Sequence, residues 1–219
     1  MVNAVIFDMD GLLIDSEPLW QEAEMAVFGR LGVPITPTAQ AQTMGLRTDQ
    51  TVEYWYRRHP WHSPSRPKVC QQIDEAVIAL IKQKGAPMPG ALEVVATCEA
   101  LGLRLALASS SSVAIITATL DKLGLADKFA AIHSADAEPF GKPHPAVYLS
   151  TADTLGVHPD ECLVLEDSLN GVISAKAASM RCIAAPNPEQ RDDTRFGVAD
   201  LVVSSLTQVT APVIQRFND

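Results

Sequence analysis

The stretch Ala4–Gly11, which reads A-V-I-F-D-M-D-G, decides how the fold of this chain is predicted. Its first four residues are apolar and run directly into Asp8, a pattern typical of a short strand that is buried on both faces. Gly11 marks the turn that follows the strand. Asp8 and Asp10 are therefore expected together at the carboxyl end of a buried strand, where something must offset the repulsion between their carboxylates.

Composition and charge exclude several classes of protein. Of the 219 residues, 47% are apolar and 20% are charged, which indicates a globular chain, and the net charge of −9 argues against long nucleic acids as partners. No apolar run approaches the roughly 20 residues of a membrane span, and the N-terminus does not resemble a secretory signal. The cysteines lack metal-like spacing and are predicted to be free thiols in a reducing cytoplasm: Cys70, Cys98, Cys162 and Cys182.

Beyond residue 86 the sequence alternates between helix and strand patterns. Strands are predicted at 103–108, 131–133, 162–165, 181–185 and 201–203, with helices at 91–101, 113–123, 145–155 and after Asn170-Gly171. Single helices between successive strands imply right-handed βαβ units and a parallel sheet. Because the strand at 4–7 needs this sheet for its burial, the predicted fold is α/β with a Rossmann-like parallel-sheet core.

The segment 16–85 has a different residue pattern: it is rich in helix formers and contains no convincing strand pattern. Helices are predicted at 18–31, 49–58 and 67–84. We therefore predict a core made of residues 1–15 and 86–219, interrupted by a small all-helical cap at 16–85. The three tryptophans all fall in this insertion and favour packing within the cap over sugar stacking: Trp20, Trp55 and Trp61.

Four strand-to-helix loops carry the residues that could perform chemistry. In open parallel sheets, ligands bind outside the carboxyl ends of the strands, so these loops should meet at one edge. That edge would gather Asp8 and Asp10, a run of serines, a lysine and a second acidic pair. The loops are Asp8–Gly11, Ser109–Ser112, Gly141–Pro143 and Glu166–Ser168.

Such a set of side chains supports phosphoryl transfer. Mg²⁺ takes oxygen ligands and commonly joins protein carboxylates to phosphate oxygens, so Asp8 and Asp167 are candidate metal ligands. The other oxygen of Asp8 could attack phosphorus to form an aspartyl-phosphate, while Asp10 moves protons to the leaving alkoxide and from water. The groups predicted to donate to the phosphate oxygens are Ser109, the amide of Ser110 and Lys142.

Four motifs in this order resemble the haloacid dehalogenase superfamily: F-D-M-D-G at 7–11, L-A-S-S at 107–110, G-K-P at 141–143 and L-E-D-S at 165–168. The helical insertion after the first motif is similar to the helical cap of that family. The stretch I-F-D-M-D-G-L-L-I-D-S-E-P-L-W at 6–20 is similar to its bacterial phosphatases of 2-deoxyglucose 6-phosphate and hexitol phosphates.

The resemblance implies a role for each matched residue. Asp8 would be the nucleophile, and Asp10 would be the acid and base, with its backbone carbonyl facing the metal. Asp167 would be a metal ligand, and Glu166 a nearby acid whose metal contact is left open. The residues that would hold the phosphate are Ser109, Ser110 and Lys142.

Each of these residues also has an ordinary structural interpretation. The serines at 109–112 could cap the next helix, and Asp167 could cap the helix that follows it. Lys142 taken alone would be a solvated surface lysine. Asp15 is expected to brace the first loop or the hinge, and Glu17 could face the substrate from the cap entrance.

Arg47, within Gly45-Leu46-Arg47, resembles a substrate-contacting loop of related helical-cap enzymes, but it could equally form a surface salt bridge. The histidines show no metal spacing, so the predicted chemistry depends on carboxylates and a metal rather than on histidine.

The preferred function is a Mg²⁺-dependent phosphatase of small sugar or polyol phosphates that acts in the cytoplasm on a small phosphorylated molecule. A phosphomutase of the β-phosphoglucomutase type is the main alternative, but such mutases carry a histidine near the cap hinge where this chain has Trp20. Dehalogenase chemistry does not need Asp10, and a non-catalytic phosphosugar-binding module would not need these acids. The sequence is compatible with a monomer but does not fix the oligomeric state.

Overall fold

A computed structural model describes residues 1–40 and 42–218, and within them the strands form one six-stranded parallel sheet. The strands are β1 (Ala4–Phe7), β2 (Arg104–Ser109), β3 (Ala131–Ser134), β4 (Cys162–Glu166), β5 (Arg181–Ala184) and β6 (Leu201–Val202). Their order across the sheet is β3-β2-β1-β4-β5-β6. All six predicted strands are confirmed: the first has the predicted ends, and the ends of the other five differ from the predicted ones by one residue at most.

The first four helices after β1 are α1 (Glu17–Arg30), α2 (Pro37–Gln40), α3 (Thr48–Arg58) and α4 (Arg66–Lys84). We call these four the cap helices. The short helix α2 was not predicted, because four residues are too few to show a helical period. Trp55 and Trp61 are buried against Phe28 with ring centroids 6.3 Å and 6.1 Å away, which confirms that both serve packing.

The remaining helices are α5 (Ala91–Ala100), α6 (Val113–Leu123), α7 (Ala146–Leu155), α8 (Leu169–Ala177) and α9 (Ala211–Gln215). The side chains of β1 alternate between two hydrophobic clusters. Val5 and Phe7 pack with residues of α5 and α6, whereas Ala4 and Ile6 pack with residues of α7 and α8. Helices therefore cover both faces of the sheet, which confirms the predicted Rossmann-like α/β class.

Two backbone hydrogen bonds join the stretches that lead into and out of the cap helices. The N–H of Asp15 donates to the carbonyl of Ala86 at 2.9 Å, and the N–H of Met88 donates to the carbonyl of Leu13 at 3.0 Å. Asp15 thus braces this region through its backbone, while its side chain is exposed. The division into a core (1–15 and 86–219) and a cap (16–85) stays a prediction, and these hydrogen bonds lie beside its two boundaries.

All four cysteines are free thiols, as predicted. Burial raises the pKa of Cys162 to about 11, so this thiol is protonated and unreactive at neutral pH. Among the residues that the structure describes, no helix has the length and apolar character needed to cross a membrane.

Candidate active site

The register of the sheet brings the first and fourth motifs together. Phe7 of β1 lies beside Leu165 of β4, and the N–H of Asp8 donates to the carbonyl of Leu165 at 3.0 Å. Asp8 therefore emerges next to Glu166. Strand β1 also separates the two halves of the sheet, and ligands of doubly wound sheets bind at such a switch point.

Lys142 is buried between two carboxylates, with only 2% of its surface exposed. Its Nζ lies 2.6 Å from Asp8 Oδ1, 2.6 Å from Glu166 Oε1 and 3.2 Å from the carbonyl oxygen of Ala108. The interpretation of Lys142 as a solvated surface lysine is therefore wrong. Its three ammonium hydrogens all have acceptors, and the contact with Ala108 is the longest of the three.

Glu166 is fully buried and accepts hydrogen bonds at both carboxylate oxygens. Lys142 and the hydroxyl of Tyr148 donate to Oε1, at 2.6 Å and 2.9 Å. The amides of Asp167 and Ser168, both at 2.9 Å, and the Ser168 hydroxyl at 3.1 Å donate to Oε2. Gly171 permits this burial, because a Cβ there would clash with the carboxylate. The oxygens of Glu166 are thus occupied in positioning Lys142 and the loop after β4.

Asp167 is the carboxylate at this edge that is left without a donor. Ser168, not Asp167, caps helix α8, since its Oγ accepts a hydrogen bond from the N–H of Gly171 at 3.0 Å. The capping interpretation of Asp167 is therefore wrong. No hydrogen bond from the described residues reaches its carboxylate. Gly11, at φ +75°, leaves room for that carboxylate, because a Cβ on Gly11 would clash with it.

Burial dominates the electrostatics of these acids. It raises the pKa of Asp8 to about 8, against the opposing effect of Lys142, and the charges of Glu166 and Asp10 add to the rise. Burial followed by repulsion from Glu166 and Asp8 also raises the pKa of Asp167 well above its usual range. For Lys142, burial opposes the charge, but Asp8 and Glu166 raise its pKa above the ordinary value. A single cation does not offset three buried carboxylates.

The donor set fits a hard divalent cation. Carboxylate oxygens of Asp8, Glu166 and Asp167 lie within 4.8 Å of one another. Because the oxygens of Glu166 are already hydrogen-bonded, the side chains left to hold a metal are those of Asp8 and Asp167. Few protein ligands and room for substrate oxygens and water are typical of Mg²⁺ sites. The side chain of Asp10 is not in this cluster, so a metal contact through its backbone carbonyl stays a prediction.

Asp10 is instead held by four side-chain donors. Its Oδ1 accepts hydrogen bonds from Ser16 Oγ at 2.7 Å and Trp20 Nε1 at 2.8 Å. Its Oδ2 accepts hydrogen bonds from Ser111 Oγ at 2.7 Å and Ser109 Oγ at 3.5 Å. Sequence reasoning missed Ser16, Trp20 and Ser111. The serine run hinted at Ser111, but nothing in the sequence indicated that a cap tryptophan would reach Asp10.

The other serines of that run differ in their contacts, and one of them bonds to the loop that precedes α3. Ser110 Oγ donates to the carbonyl of Gly45 at 3.1 Å, and Ser109 Oγ accepts a hydrogen bond from the N–H of Ser111 at 3.0 Å. Ser112 occupies the N-cap position of helix α6, but its side chain makes no capping hydrogen bond. The interpretation that the serines at 109–112 cap helix α6 through a side chain is therefore wrong.

A cavity that is partly open to solvent lies between the sheet edge and the cap helices. It brings together all the predicted site residues: Asp8, Asp10, Ser109, Ser110, Lys142 and Asp167. Glu17 and Trp20 of α1 also line it. Arg47 does not: it pairs with Asp49 at 2.7 Å and donates to the carbonyls of Ala135 and Glu138. The salt-bridge alternative for Arg47 is therefore correct.

Comparisons with known proteins agree with this geometry. Residues 2–179 match the family described as haloacid dehalogenase-like hydrolase. The chain is 48% identical over 211 residues to hexitol phosphatase B of Escherichia coli strain K12, covering 96% of this chain and 95% of that protein.

Two solved structures are also similar. CbbY from Rhodobacter sphaeroides in complex with phosphate has a TM-score of 0.86 and 28% identity, covering 95% of this chain and 96% of that one. β-Phosphoglucomutase from Clostridium difficile has a TM-score of 0.86 and 25% identity, covering 100% and 98%. The motifs, the fold and these similarities together show that the chain belongs to the haloacid dehalogenase-like hydrolases.

Proposed function

We propose that this chain is a Mg²⁺-dependent phosphatase that hydrolyses small sugar and polyol phosphates through an aspartyl-phosphate on Asp8. The observation that carries the proposal is the meeting of Asp8, Lys142 and Asp167 at the floor of one cavity, with Asp10 two residues from the nucleophile. The 48% identity to a hexitol phosphatase supports both the reaction and the class of substrate.

Asp8 is suited to nucleophilic attack because only one of its oxygens is hydrogen-bonded by the described side chains. Lys142 holds Oδ1 at 2.6 Å, which fixes the plane of the carboxylate and leaves Oδ2 for attack on phosphorus. Attack would form a bond between Asp8 and phosphorus as the bond to the leaving alkoxide breaks. The contacts of Lys142 with both Asp8 and Glu166 keep this orientation fixed.

Asp10 is suited to proton transfer in both halves of the reaction. Protonated, it would give its proton to the leaving alkoxide; ionised, it would then take a proton from the water that attacks the aspartyl-phosphate. Ser111 holds its carboxylate from the core, and Ser16 and Trp20 hold it from the start of α1. The acid is thus positioned jointly by the core and the cap.

Phosphate recognition would fall to Ser109, the amide of Ser110 and Lys142. For Lys142, a phosphate oxygen can replace the carbonyl of Ala108, its most distant acceptor. Bound between Asp8 and Asp167, Mg²⁺ would offset the charge of these carboxylates and of the phosphate.

A phosphomutase is the second candidate, because the fold of a β-phosphoglucomutase matches with a TM-score of 0.86. Two features favour hydrolysis. The position where such mutases carry a histidine is occupied by Trp20, whose N–H donates to Asp10. Among the described residues that line the cavity, Lys142 is also the only cation, which leaves no obvious partner for the second phosphate of a bisphosphate.

The test is a phosphate-release assay over sugar and polyol phosphates, with Mg²⁺ or with EDTA. The proposal predicts release from several hexose and hexitol phosphates, including 2-deoxyglucose 6-phosphate, that stops in EDTA and returns when Mg²⁺ is added. An isomerised sugar phosphate as the main product, dependent on hexose bisphosphate, would instead establish the mutase. Action in the cytoplasm as a monomer remains a prediction.

A further inference from the structure

Helix α1 presents a polar stripe to the cavity. Glu17, Gln21 and Glu24 recur at helical spacing along one face of the helix, and all three line the cavity. Seven residues of helix span about 10 Å, so Glu24 lies well beyond Glu17 along the cavity wall. This distal part of the wall is not needed for the proposed chemistry at Asp8.

Glu24 and Gln40 form a buried pair at that distal end. Glu24 is 8% exposed and Gln40 is 4% exposed, although both line the cavity. Gln40 Nε2 donates to Glu24 Oε2 at 2.9 Å and to the carbonyl of Gln21 at 3.3 Å. Gln40 Oε1 is buried and has no hydrogen-bond partner among the residues that the structure describes. An unpaired buried carbonyl oxygen is costly, so this atom calls for a donor.

The chemistry of the pair defines the donor. Gln40 Oε1 and the second oxygen of Glu24 are both acceptors, and a hydroxyl is a neutral group that can donate to either of them. Thr43 and Thr51 also line the cavity and are buried. The Thr43 hydroxyl donates to the carbonyl of Gln40 at 3.1 Å, so it can accept a hydrogen bond from a ligand, and the Thr51 hydroxyl adds a second polar group. We propose that Glu24 and Gln40 form a subsite that binds hydroxyls of the leaving group at the end farthest from the phosphate.

The charge of the same subsite opposes a second phosphate. Burial raises the pKa of Glu24 to about 7, against the effect of Gln40, so a substantial fraction is ionised at neutral pH. Glu17 lies nearby on the same helix, and burial raises its pKa as well. The lining contains no cation near Glu24 among the described residues, since Lys142 is paired with Asp8 and Glu166. The subsite therefore selects monophosphates whose distal end is a neutral polyol.

This inference rests on the proposed phosphatase activity, and matched substrates separate the two. Glucitol 6-phosphate and hexyl phosphate share a six-carbon chain and one phosphate, but only the first carries hydroxyls. The quantity to measure is the ratio of kcat/KM for glucitol 6-phosphate to that for hexyl phosphate. We expect the wild type to favour glucitol 6-phosphate at least tenfold, because a site built for hydroxyls rejects analogues that lack them.

The variants Glu24→Leu and Gln40→Leu remove the acceptors from opposite sides of the pair. Each should lower the ratio about tenfold, chiefly by raising KM for glucitol 6-phosphate. Glu22→Gln is the matched control, since Glu22 lies on the same helix, is exposed and pairs with Lys84; its ratio should equal that of the wild type. Melting curves identify a variant that has lost its fold. In that case the kcat/KM ratio of the other Leu variant tests the proposal.

A second arm tests the charge with Glu24→Gln, which keeps hydrogen-bonding groups but cannot ionise. At pH 8 the wild type should disfavour glucitol 1,6-bisphosphate relative to glucitol 6-phosphate, and this variant should reduce that preference several-fold. If the wild type releases phosphate from hexyl phosphate and neither Leu variant changes the ratio of kcat/KM values, the inference about the subsite is wrong while the proposed function stands. No release from any phosphate ester by the wild type would instead overturn the proposed function.

Discussion

Asp8 and Glu24 are buried carboxylates that line the same cavity, and their surroundings differ. Asp8 lies 2.6 Å from the ammonium of Lys142, within a network that Glu166 completes. Glu24 has one neutral partner, the Gln40 amide at 2.9 Å. Burial raises the pKa of both, to about 8 for Asp8 and about 7 for Glu24. Asp8 therefore needs a further positive charge nearby to be ionised at neutral pH. Glu24 is not one of the reacting groups, so a change in its charge leaves the proposed reaction itself unchanged.

The difference indicates a division of labour. At the sheet edge, strand register and a buried ion pair leave few alternatives for the side chains, as a reaction with strict geometric demands requires. At the cap wall, formed by Glu24 and Gln40, the two side chains share one hydrogen bond and Gln40 Oε1 has no partner among the described residues. These acceptors are therefore available to donors of a substrate. The sheet edge is arranged for reaction and the cap wall for selection, and the following substitutions test that contrast.

The largest effect is expected from Asp8→Asn. An amide cannot attack phosphorus, so kcat should fall by at least about 10³-fold, as for other enzymes that lose their nucleophile. The measurement is steady-state phosphate release from glucitol 6-phosphate. Asp15→Asn is the control, because the Asp15 side chain is exposed and its bracing contact is through the backbone. Retention of more than a tenth of the wild-type rate by Asp8→Asn would contradict the role given to Asp8.

Lys142→Met tests whether the sheet edge depends on its ion pair. Removing the ammonium leaves Asp8 and Glu166 buried without a cation, which should cost about 3–5 kcal/mol in the free energy of unfolding. Urea denaturation in EDTA measures it. The matched control is Lys128→Met, which breaks an exposed pair with Glu99 and should cost under about 1 kcal/mol. Equal losses in the two variants would remove the distinction between the buried and the exposed pair.

Glu24→Gln tests the charge at the cap wall through pH. The folded-state pKa of about 7 exceeds the ordinary 4.5, so the folded protein binds a proton more tightly, and wild-type stability falls as pH rises between these values. Glutamine does not titrate, so the variant should gain about 3 kcal/mol relative to the wild type between pH 4.5 and pH 8. Urea denaturation at both pH values measures this gain in the free energy of unfolding, with Glu22→Gln as the control. If the difference between variant and wild type did not change with pH, the pKa of Glu24 would not be raised by burial.

The smallest effect is expected from Trp20→Phe, which removes one of the donors to Asp10 and leaves Ser16 and Ser111 in place. We expect kcat to fall about tenfold with a smaller change in KM, because the proton-transfer group is held less firmly. Trp55→Phe is the control, since the Trp55 indole N–H has no hydrogen-bond partner within residues 1–40 and 42–218. Equal losses of kcat in the two variants would show that the effect of Trp20 is one of packing.

The sheet edge could be predicted closely because its geometry follows from local patterns. A buried strand followed by Asp8, and another followed by Glu166 and Asp167, must meet at one edge if the strands are parallel. Chain order alone does not state that β1 lies beside β4, but the switch-point rule for such sheets favours that arrangement. What the motifs did not reveal was that Glu166 positions Lys142. This role arises from burial and from five donors, of which Lys142 and Tyr148 come from outside the loop after β4.

The cap could be predicted only as helices. Its helical periods were visible in the sequence, but the contacts of Trp20 with Asp10 and of Glu24 with Gln40 depend on how the helices are placed against the core and one another. Periodicity does not encode that placement. Arg47 illustrates the limit: its motif suggested substrate contact, whereas it binds Asp49 and two core carbonyls.

The central claim is that Asp8 carries the phosphoryl group during turnover. Its most direct test is acid quenching of the wild-type enzyme during hydrolysis of glucitol 6-phosphate, followed by mass spectrometry of its peptides. We expect an acid-stable phosphoryl group on the peptide that contains Asp8, and none on that peptide in the quenched Asp8→Asn variant. Phosphorylation of a different residue in the active wild-type enzyme would contradict it.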